Sequence, residues 1–445
     1  MGKHVYIWVE LQKIRVKTMK VYIESYGCAM NNADTNLIKR ILSEKHEIIS
    51  DPWMADVIII NTCTVRGETE KNMMHRIKEL ENIRCIKGSK LIVAGCMAKV
   101  QPAKILSISP EASLISPQKI GEIMEIIESK NREIRIVGEG IKDLKKMVTD
   151  GLTLTIPIAE GCLGDCSYCI VRLARGRLKS YPENEIVEIV EKAVGKGVKE
   201  IRITAQDTAA YGFDKGTNLV NLLKKILRVQ GEYRVRIGMM TPNNALKIID
   251  GLLEVYDDDR VYKFIHIPLQ SGDNNILKVM NRKYTVEDYG EIVDRFRSIY
   301  PNGFITTDII SGFPGESDEA HRNTIKVLEE TKPDKVNAAK YTPRPHTKAA
   351  ALPQIPEKIR SERCREVIEL SRKISLERNK IYEGKMVDAI VLGCNKRGFL
   401  KARMKDYRLA LIEGSNELIG RIVNIKILEA RETYLIGELT SSWSW

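Results

Sequence analysis

Residues 152–169 read LTLTIPIAEGCLGDCSYC, a short apolar run followed at once by three closely spaced cysteines. Cys162, Cys166 and Cys169 supply three thiolates from one tight loop. Three thiolates on a four-iron cluster leave one iron free for another ligand, whereas a structural zinc site takes a fourth protein ligand. Because no cysteine or histidine follows nearby, the spacing favours an open iron–sulfur cluster over a zinc loop closed by a distant residue or three unrelated thiols.

The alternation of apolar and amphipathic segments around this loop predicts a partial (β/α)6 barrel over residues 151–380. Apolar runs that resemble strands are separated by amphipathic segments such as 183–194, 218–227 and 317–330. These runs end near Glu160, Ala205, Met239, Leu269, Ile310 and Tyr341. A charged helix is predicted at 356–380.

A smaller parallel α/β domain is predicted over residues 19–130, with strands at 20–25, 56–61 and 90–94. The segment 131–150 is charged and irregular in pattern, which is typical of a linker. Residues 1–18 form an extension, either an extra strand or a misassigned start.

The tail, residues 381–440, is rich in Val, Ile and Leu in short alternating runs with glycine turns, which predicts a small β-barrel. A run of positive charge crosses it. The basic residues with a predicted RNA-binding role are Lys396, Arg397, Lys401, Arg403 and Arg408. A charge run is either a solvated face or an RNA-binding edge, and both interpretations remain open here.

The chain has 445 residues, 43% of them hydrophobic and 29% charged, as in a globular protein of about three domains. No run approaches the roughly 20 apolar residues that span a bilayer, so we expect a cytoplasmic protein without membrane contact. Nine cysteines, an odd count in a chain without a signal peptide, indicate reduced thiols and metal ligation. The net charge of +12 is compatible with a polyanionic partner such as nucleic acid.

A second set of cysteines shares one position in the predicted N-terminal domain. Cys28, Cys63 and Cys96 each follow a predicted strand. In a parallel sheet such positions lie along the carboxyl edge, where ligands bind. The pattern therefore favours a shared thiol site over three small residues packed in turns, and it leaves Cys85 and Cys394 outside that site.

The residues around both cysteine sets carry a family resemblance. The stretches YGCAMNNAD (26–34), NTCTVR (61–66) and GCMA (95–98) resemble the cysteine motifs of the radical S-adenosylmethionine (SAM) methylthiotransferases. The match continues in ARGR (174–177), AQD (205–207), HIPLQSG (266–272), MNRKY (280–284) and DIISGFPGE (308–316). The tail resembles the tRNA-binding TRAM domain of that family. The stretches ESYGC (24–28), ADT (33–35) and QDTAAYG (206–212) look most like those of the archaeal and eukaryotic members that act on N6-threonylcarbamoyladenosine in tRNA.

This resemblance implies an enzyme that adds a methylthio group to C2 of N6-threonylcarbamoyladenosine at tRNA position 37. It implies two 4Fe–4S clusters, one on Cys162, Cys166 and Cys169 that cleaves SAM to a radical, and one on Cys28, Cys63 and Cys96 that presents sulfur. It also implies an anticodon stem-loop as the RNA partner, an electron donor of ferredoxin or flavodoxin type, and a sulfur donor. No role is assigned to Trp443 or Trp445.

Polar residues near the predicted strand ends of the barrel are candidates for SAM binding, because the loops there build the active sites of such barrels. These candidates are Gln206, Gln270, Ser271 and Asp308, with Arg175 and Arg177 for a carboxylate or an RNA phosphate. The alternative is that these side chains tie off strand ends by hydrogen bonds.

Two other functions remain open. One is methylthiolation of another substrate, such as tRNA with isopentenyladenosine. The other is a metal-stabilised RNA-binding protein without catalysis.

Overall fold

The computed structural model describes residues 18–64, 67–140, 142–147 and 151–440, with only the backbone described at 67–69. Apart from Thr18, the predicted extension at 1–18 lies outside these residues, as do Trp443 and Trp445. Three domains follow one another along the chain: a parallel sheet with helices, a curved parallel sheet with helices, and a closed barrel. The predicted fold class is therefore confirmed.

The N-terminal domain is a six-stranded parallel sheet with the strand order β2-β1-β3-β4-β5-β6. Its strands are β1 (Lys20–Ser25), β2 (Glu47–Ile49), β3 (Val57–Thr62), β4 (Lys90–Gly95), β5 (Ser113–Ile115) and β6 (Ile134–Arg135). Its helices are α1 (Ala29–Leu42), α2 (Gly67–Lys87), α3 (Cys96–Val100), α4 (Pro102–Leu106) and α5 (Ile123–Glu128). β3 is buried along its whole length and reads VIIINT, as expected for a strand covered on both faces.

The segment 131–150 differs from the irregular linker that its charge pattern predicts. Ile134–Arg135 adds the sixth strand to the N-terminal sheet, and Leu144–Met147 forms a 3-10 turn whose apolar side chains are buried. Lys142 is buried as well. The charge pattern suggests a solvated segment, but the charge of Lys142 is neutralised by Asp34, a residue distant in sequence. Local composition does not reveal such a partner.

The second domain holds six parallel strands that form an open, curved sheet, with its two halves joined by a bridge between Val235 and Val261. The strands are β7 (Thr153–Pro157), β10 (Glu200–Thr204), β11 (Arg234–Arg236), β12 (Phe264–His266), β13 (Phe304–Ser311) and β14 (Lys335–Lys340), and a small pair is formed by β8 (Ala159–Glu160) and β9 (Lys179–Ser180). The helices are α6 (Val171–Arg175), α7 (Glu183–Gly195), α8 (Leu219–Ile226), α9 (Pro242–Ala245), α10 (Ile249–Tyr256), α11 (Asn274–Val279), α12 (Val286–Ile299), α13 (Asp318–Thr331) and α14 (Glu357–Lys380).

The C-terminal domain is a closed barrel with the strand order β15-β16-β17-β19-β18. Its strands are β15 (Met386–Cys394), β16 (Leu400–Met404), β17 (Leu409–Ile412), β18 (Ile422–Ala430) and β19 (Leu435–Leu439). Alternate residues of these strands point inward to a core of their own. Among the described helices, none is both long enough and apolar enough to cross a membrane.

One apolar core runs across the first two domains. It joins Leu37 and Ile41 of α1 to Leu144 and Met147, and continues to Ile189 of α7. These side chains are buried together, so separating the two domains would expose their apolar surface to water. The free-energy cost is about 25 cal/mol for each Å2 exposed. The two sheets are thereby held in one arrangement.

Candidate active site

The cysteine set of the N-terminal domain lies at the carboxyl edge of its sheet. Cys28, Cys63 and Cys96 follow β1, β3 and β4, which are neighbours in the sheet. The strand order reverses between β1 and β3, and in open α/β sheets ligands bind at the carboxyl edge beside such a reversal. The fold therefore brings together three thiols that are far apart in sequence.

Glycines before two of these cysteines permit the close approach. Gly27 has a φ of +124°, and a Cβ there would lie 2.7 Å from the Cβ of Cys63. Gly95 has a φ of +95°, and a Cβ there would lie 2.3 Å from Oδ1 of Asn61. Only glycine fits both the backbone conformation and the space at these positions.

Asn31, which sequence analysis did not select, lies at the centre of this thiol set. Its Oδ1 is 3.9 Å from the Sγ of Cys28 and 3.8 Å from the Sγ of Cys96. Its Nδ2 donates to the carbonyl oxygens of Tyr26 at 2.9 Å and Thr62 at 2.8 Å. One amide thus holds the loops after β1 and β3 together and contacts two of the three thiols.

Burial affects the protonation of one of these thiols, that of Cys96. It raises the pKa of Cys96 to about 12, where Arg175 opposes the shift and Cys28 and Cys63 add to it. A thiol with so high a pKa keeps its proton at neutral pH unless a metal takes the proton's place. Cys96 is therefore suited to bind a metal group and not to act as a free thiolate nucleophile.

The other cysteine set, Cys162, Cys166 and Cys169, lies in the loop between β8 and α6. The N–H of Gly164 donates to the Sγ of Cys162 at 3.2 Å. A Cβ at position 164 would lie 3.3 Å from that sulfur and 3.7 Å from the Sγ of Cys166, so both sulfurs crowd this glycine. Burial raises the pKa of Cys169 to about 12, and Cys166 and Cys162 contribute to the shift.

The segment after α11 fixes this loop in place. Ser167 donates through its N–H to Met280 O at 3.0 Å and through its hydroxyl to Val279 O at 2.8 Å. Arg282 donates from Nη1 to the Sγ of Cys166 at 3.1 Å, while its Nη2 is buried without a partner. Sequence analysis quoted the motif around Arg282 but assigned it no role. Its positive charge beside the sulfurs favours anionic thiolates there.

Both sets fit an iron–sulfur cluster in the chemistry of their donors. Each offers three cysteine sulfurs, the ligand type that such clusters use, and a cluster held by three ligands keeps one iron open. Within the described ranges, no three His, Cys, Asp or Glu side chains lie close enough to share a single metal ion.

A buried network of charges joins the two cysteine sets. Arg175, on the helix after Cys169, pairs with Asp34 at 2.7 Å and Glu160 at 3.0 Å, and donates to Oδ1 of Asn31 at 2.9 Å. Lys142 pairs with the same two carboxylates. Helix α3, which begins at Cys96, packs against α6. The two sets therefore share one interface between the domains.

The role predicted for Arg175 needs correction. Its side chain is 1% exposed and occupied by three protein partners, so it cannot bind a SAM carboxylate or an RNA phosphate in this arrangement. Sequence analysis assigned no role in the site to Asp34, Glu160 or Lys142. Asp34 had one available signal, because it lies on the helix that starts after Cys28, one turn beyond Asn31.

A cavity of about 200 Å3 opens beside Cys169 at the carboxyl edge of the curved sheet. Gln270 and Asp308, both predicted to contact SAM, line it. Gln270 has a buried Oε1 without a partner, whereas Asp308 is held by His266 at 3.1 Å and Asn337 at 2.8 Å.

The other predicted SAM contacts lie elsewhere. Gln206 and Ser271 do not line this cavity, although Oε1 of Gln206 is buried and unpartnered. The hydroxyl of Ser271 accepts from the N–H of Asp273 at 3.3 Å, which agrees with the alternative that such residues tie off strand ends. Arg177 is exposed.

The basic residues of the C-terminal barrel separate into two groups. Lys396, Arg397 and Lys401 are exposed on the β15–β16 hairpin. Arg403 is half-buried and stacks 4.4 Å above the ring of Tyr407. The prediction that Arg408 binds RNA is wrong.

The reason lies in the burial of Arg408, whose side chain is 2% exposed. It forms ion pairs with Asp334 and Asp406 at the junction of the barrel and the second domain.

Comparison with known families matches three parts of the chain. Residues 20–116 match the uncharacterized protein family UPF0004, residues 156–328 the radical SAM superfamily, and residues 380–440 the TRAM domain. Among solved structures, the fold is similar to a radical S-adenosylmethionine methyltransferase from Kitasatospora setae, with a TM-score of 0.57. That match has 13% identity and covers 75% of this chain and 77% of the other.

Several curated proteins are similar over nearly the whole chain. A protein of Methanocaldococcus jannaschii is 44% identical over 95% of this chain and 98% of its own length. One of Pyrococcus abyssi is 42% identical over 95% of this chain and its full length. Both are named probable threonylcarbamoyladenosine tRNA methylthiotransferase. A human protein is 31% identical over 95% of this chain and 74% of its own length, and is named threonylcarbamoyladenosine tRNA methylthiotransferase.

Proposed function

Since this chain belongs to the family of threonylcarbamoyladenosine tRNA methylthiotransferases, we propose that it replaces the C2 hydrogen of N6-threonylcarbamoyladenosine at tRNA position 37 with a methylthio group. It is a radical SAM enzyme that modifies tRNA. The observation that carries the proposal is the packing of α3 on α6, because it joins a three-thiol site on each of two sheets at one interface. A reaction that needs both a radical and a sulfur source requires two such sites together.

SAM and an iron–sulfur cluster are the cofactors of this enzyme class. We assign one cluster to Cys162, Cys166 and Cys169, and a second to Cys28, Cys63 and Cys96. When bound, they and SAM supply the radical that activates an unreactive aryl carbon and the sulfur that replaces its hydrogen.

The chain's own residues prepare this site. Arg282 donates a hydrogen bond to the sulfur of Cys166, and Asn31 contacts the sulfurs of both Cys28 and Cys96. Arg175 in turn holds Asn31 through a charged hydrogen bond. The contacts of Asn31 with Cys96 and Arg175 are buried, so these polar groups are already in place before the reaction begins.

In this proposal the RNA binds to the C-terminal barrel and to the rim of the second domain. Lys396, Arg397 and Lys401 are available for phosphates of an anticodon stem-loop, and Arg177 is exposed on the second domain. The target base leaves its stack to reach the cavity, as in other enzymes that act on a base. An electron donor of ferredoxin or flavodoxin type and a sulfur donor complete the set of partners.

The experiment is a reaction with protein reconstituted anaerobically with iron and sulfide, then given SAM, a reductant and tRNA bearing N6-threonylcarbamoyladenosine. Mass spectrometry of the digested nucleosides is expected to find the 2-methylthio product. tRNA with isopentenyladenosine serves as the matched control. A product from that tRNA alone would move the assignment to the other substrate. If the protein takes up zinc but no sulfide, the proposal that it is an iron–sulfur enzyme would be overturned.

A further inference from the structure

The cavity beside Cys169 contains buried polar groups that no protein atom satisfies. Oε1 of Gln270, the hydroxyl of Tyr341, and Nε and Nη2 of Arg344 all lack a hydrogen-bond partner. Tyr341 is 3% exposed and Arg344 is 4% exposed, so bulk water does not compensate them. Leaving a buried polar group unpaired costs about 1–3 kcal/mol, and several in one cavity indicate that a ligand completes them.

The unsatisfied atoms of Arg344 form a defined shape. Its Nη1 donates to Glu70, so one end of the guanidinium is already used. Nε and Nη2 lie on the other side and form the planar edge that donates two parallel hydrogen bonds to a carboxylate. Arg344 thus lines the cavity and keeps a bidentate donor edge without a protein partner.

Glu70 holds this donor in position. The carboxylate of Glu70 also accepts from Gln101 at 3.0 Å and pairs with Lys104. A guanidinium anchored in this way loses little further freedom when it binds a ligand. The other charged groups of the cavity are already paired, since Asp308 is held by His266 and Asn337, and Lys340 by Glu357.

The position of Arg344 indicates which molecule brings the carboxylate. Glu70 lies on α2, which follows Cys63, whereas Arg344 follows β14 of the second domain. The free edge of Arg344 thus lies where the two domains meet. On the proposed function, the substrate base is the molecule that has to reach both thiol sets.

We propose that the Nε–Nη2 edge of Arg344, with the hydroxyl of Tyr341, binds the carboxylate of the threonyl group on the target base. This inference rests on the proposed function and adds a specificity determinant to it. An adenine with a neutral N6 substituent would leave the guanidinium edge unpaired, and the enzyme would discriminate against it. SAM is the other carboxylate that can enter this cavity, and the test separates the two sources.

The test measures binding of two anticodon stem-loops to the iron-loaded protein, one bearing N6-threonylcarbamoyladenosine and one bearing its neutral methyl amide. The wild-type protein is expected to prefer the acid by roughly 10- to 100-fold in Kd, the range of a charged hydrogen-bonded pair. Arg344→Gln abolishes this preference, and Tyr341→Phe reduces it by roughly 2- to 10-fold. SAM affinity, measured without RNA, stays within about twofold in both variants.

Controls separate recognition from folding. Arg260→Gln removes an arginine that pairs with Asp258 away from the cavity, and it keeps the wild-type preference. Should Arg344→Gln fold poorly because Glu70 loses its partner, the double variant Glu70→Gln/Arg344→Gln removes both charges and is expected to lose the preference as well.

Two outcomes overturn the inference. One is a variant at Arg344 that still prefers the acid, and the other is a loss of SAM affinity with the RNA preference intact. Because binding is measured without turnover, an inactive wild-type protein would count against the proposed reaction, while the acid–amide comparison would still decide the role of Arg344.

Discussion

Arg175 and Asp34 form an ion pair with an N–O distance of 2.7 Å, and both side chains are at most 2% exposed where the first two domains meet. Arg175 follows the last cysteine of one thiol set, and Asp34 follows the first cysteine of the other. The two residues lie 141 residues apart in sequence, and their pair is a mechanical and electrostatic link between the two cysteine sites.

Replacing Asp34 by Asn is expected to destabilise the protein by about 3–5 kcal/mol, because Arg175 and Lys142 would keep two buried positive charges with Glu160 as their one remaining shared carboxylate. Urea unfolding of the metal-free protein measures this loss. The matched control is Glu125→Gln, which breaks a pair between Arg135 and a 65% exposed carboxylate and is expected to cost about 0–1 kcal/mol. Equal effects from the two variants would contradict the link.

Replacing Cys28, Cys63 and Cys96 together by Ala is expected to remove about half of the iron and sulfide bound after anaerobic reconstitution, because one of two three-thiol sites is lost. Iron and acid-labile sulfide are assayed on the same samples. The double variant Cys85→Ala/Cys394→Ala changes two exposed cysteines outside both sets and should keep the full content. Unchanged iron in the triple variant would exclude the second cluster.

Single cysteine variants are expected to separate SAM cleavage from methylthio transfer. Cys28→Ala should retain part of the cleavage, measured as 5′-deoxyadenosine, and lose the methylthiolated nucleoside. Cys162→Ala should lose both, since it removes a ligand of the cluster that cleaves SAM. Mass spectrometry follows both products in one reaction. Cleavage that persists in Cys162→Ala would assign the radical chemistry to other residues.

Replacing Lys396, Arg397 and Lys401 by Ala is expected to weaken tRNA binding and to make the slope of log K against log salt shallower by roughly 2–3, if each residue neutralises one phosphate. Filter binding over a range of salt concentrations measures both effects. The matched control replaces Lys192, Lys326 and Lys373, which are exposed on α7, α13 and α14. The same change of slope in both triple variants would remove the barrel edge from RNA recognition.

Much of the fold follows from local sequence patterns. The apolar run VIIINT of β3 has the composition of a strand covered on both faces, and the repeated strand–helix alternation yields parallel sheets. The convergence of Cys28, Cys63 and Cys96 follows from topology alone, because parallel strands end at the same edge.

The contacts between domains do not follow from such patterns. Arg344 and Glu70 lie 274 residues apart, and Arg408 and Asp334 lie 74 residues apart. A buried arginine of this kind has the same local sequence as a solvated one, so Arg408 in a basic run resembles its exposed neighbours. The errors at Arg175 and Arg408 share this cause.

The burial of Arg408 against Asp334 has a consequence for how an RNA is chosen. Lys263 N–H also donates to Lys405 O at 2.9 Å, and Asn379 donates to Arg431 O at 2.7 Å, so the barrel is clamped to the second domain at several points. Because the barrel is held in this position, the distance from the β15–β16 hairpin, with its exposed Lys396, Arg397 and Lys401, to the cavity is fixed. On the proposed function, this fixed distance would favour stem-loops whose dimensions allow the target base to reach the cavity.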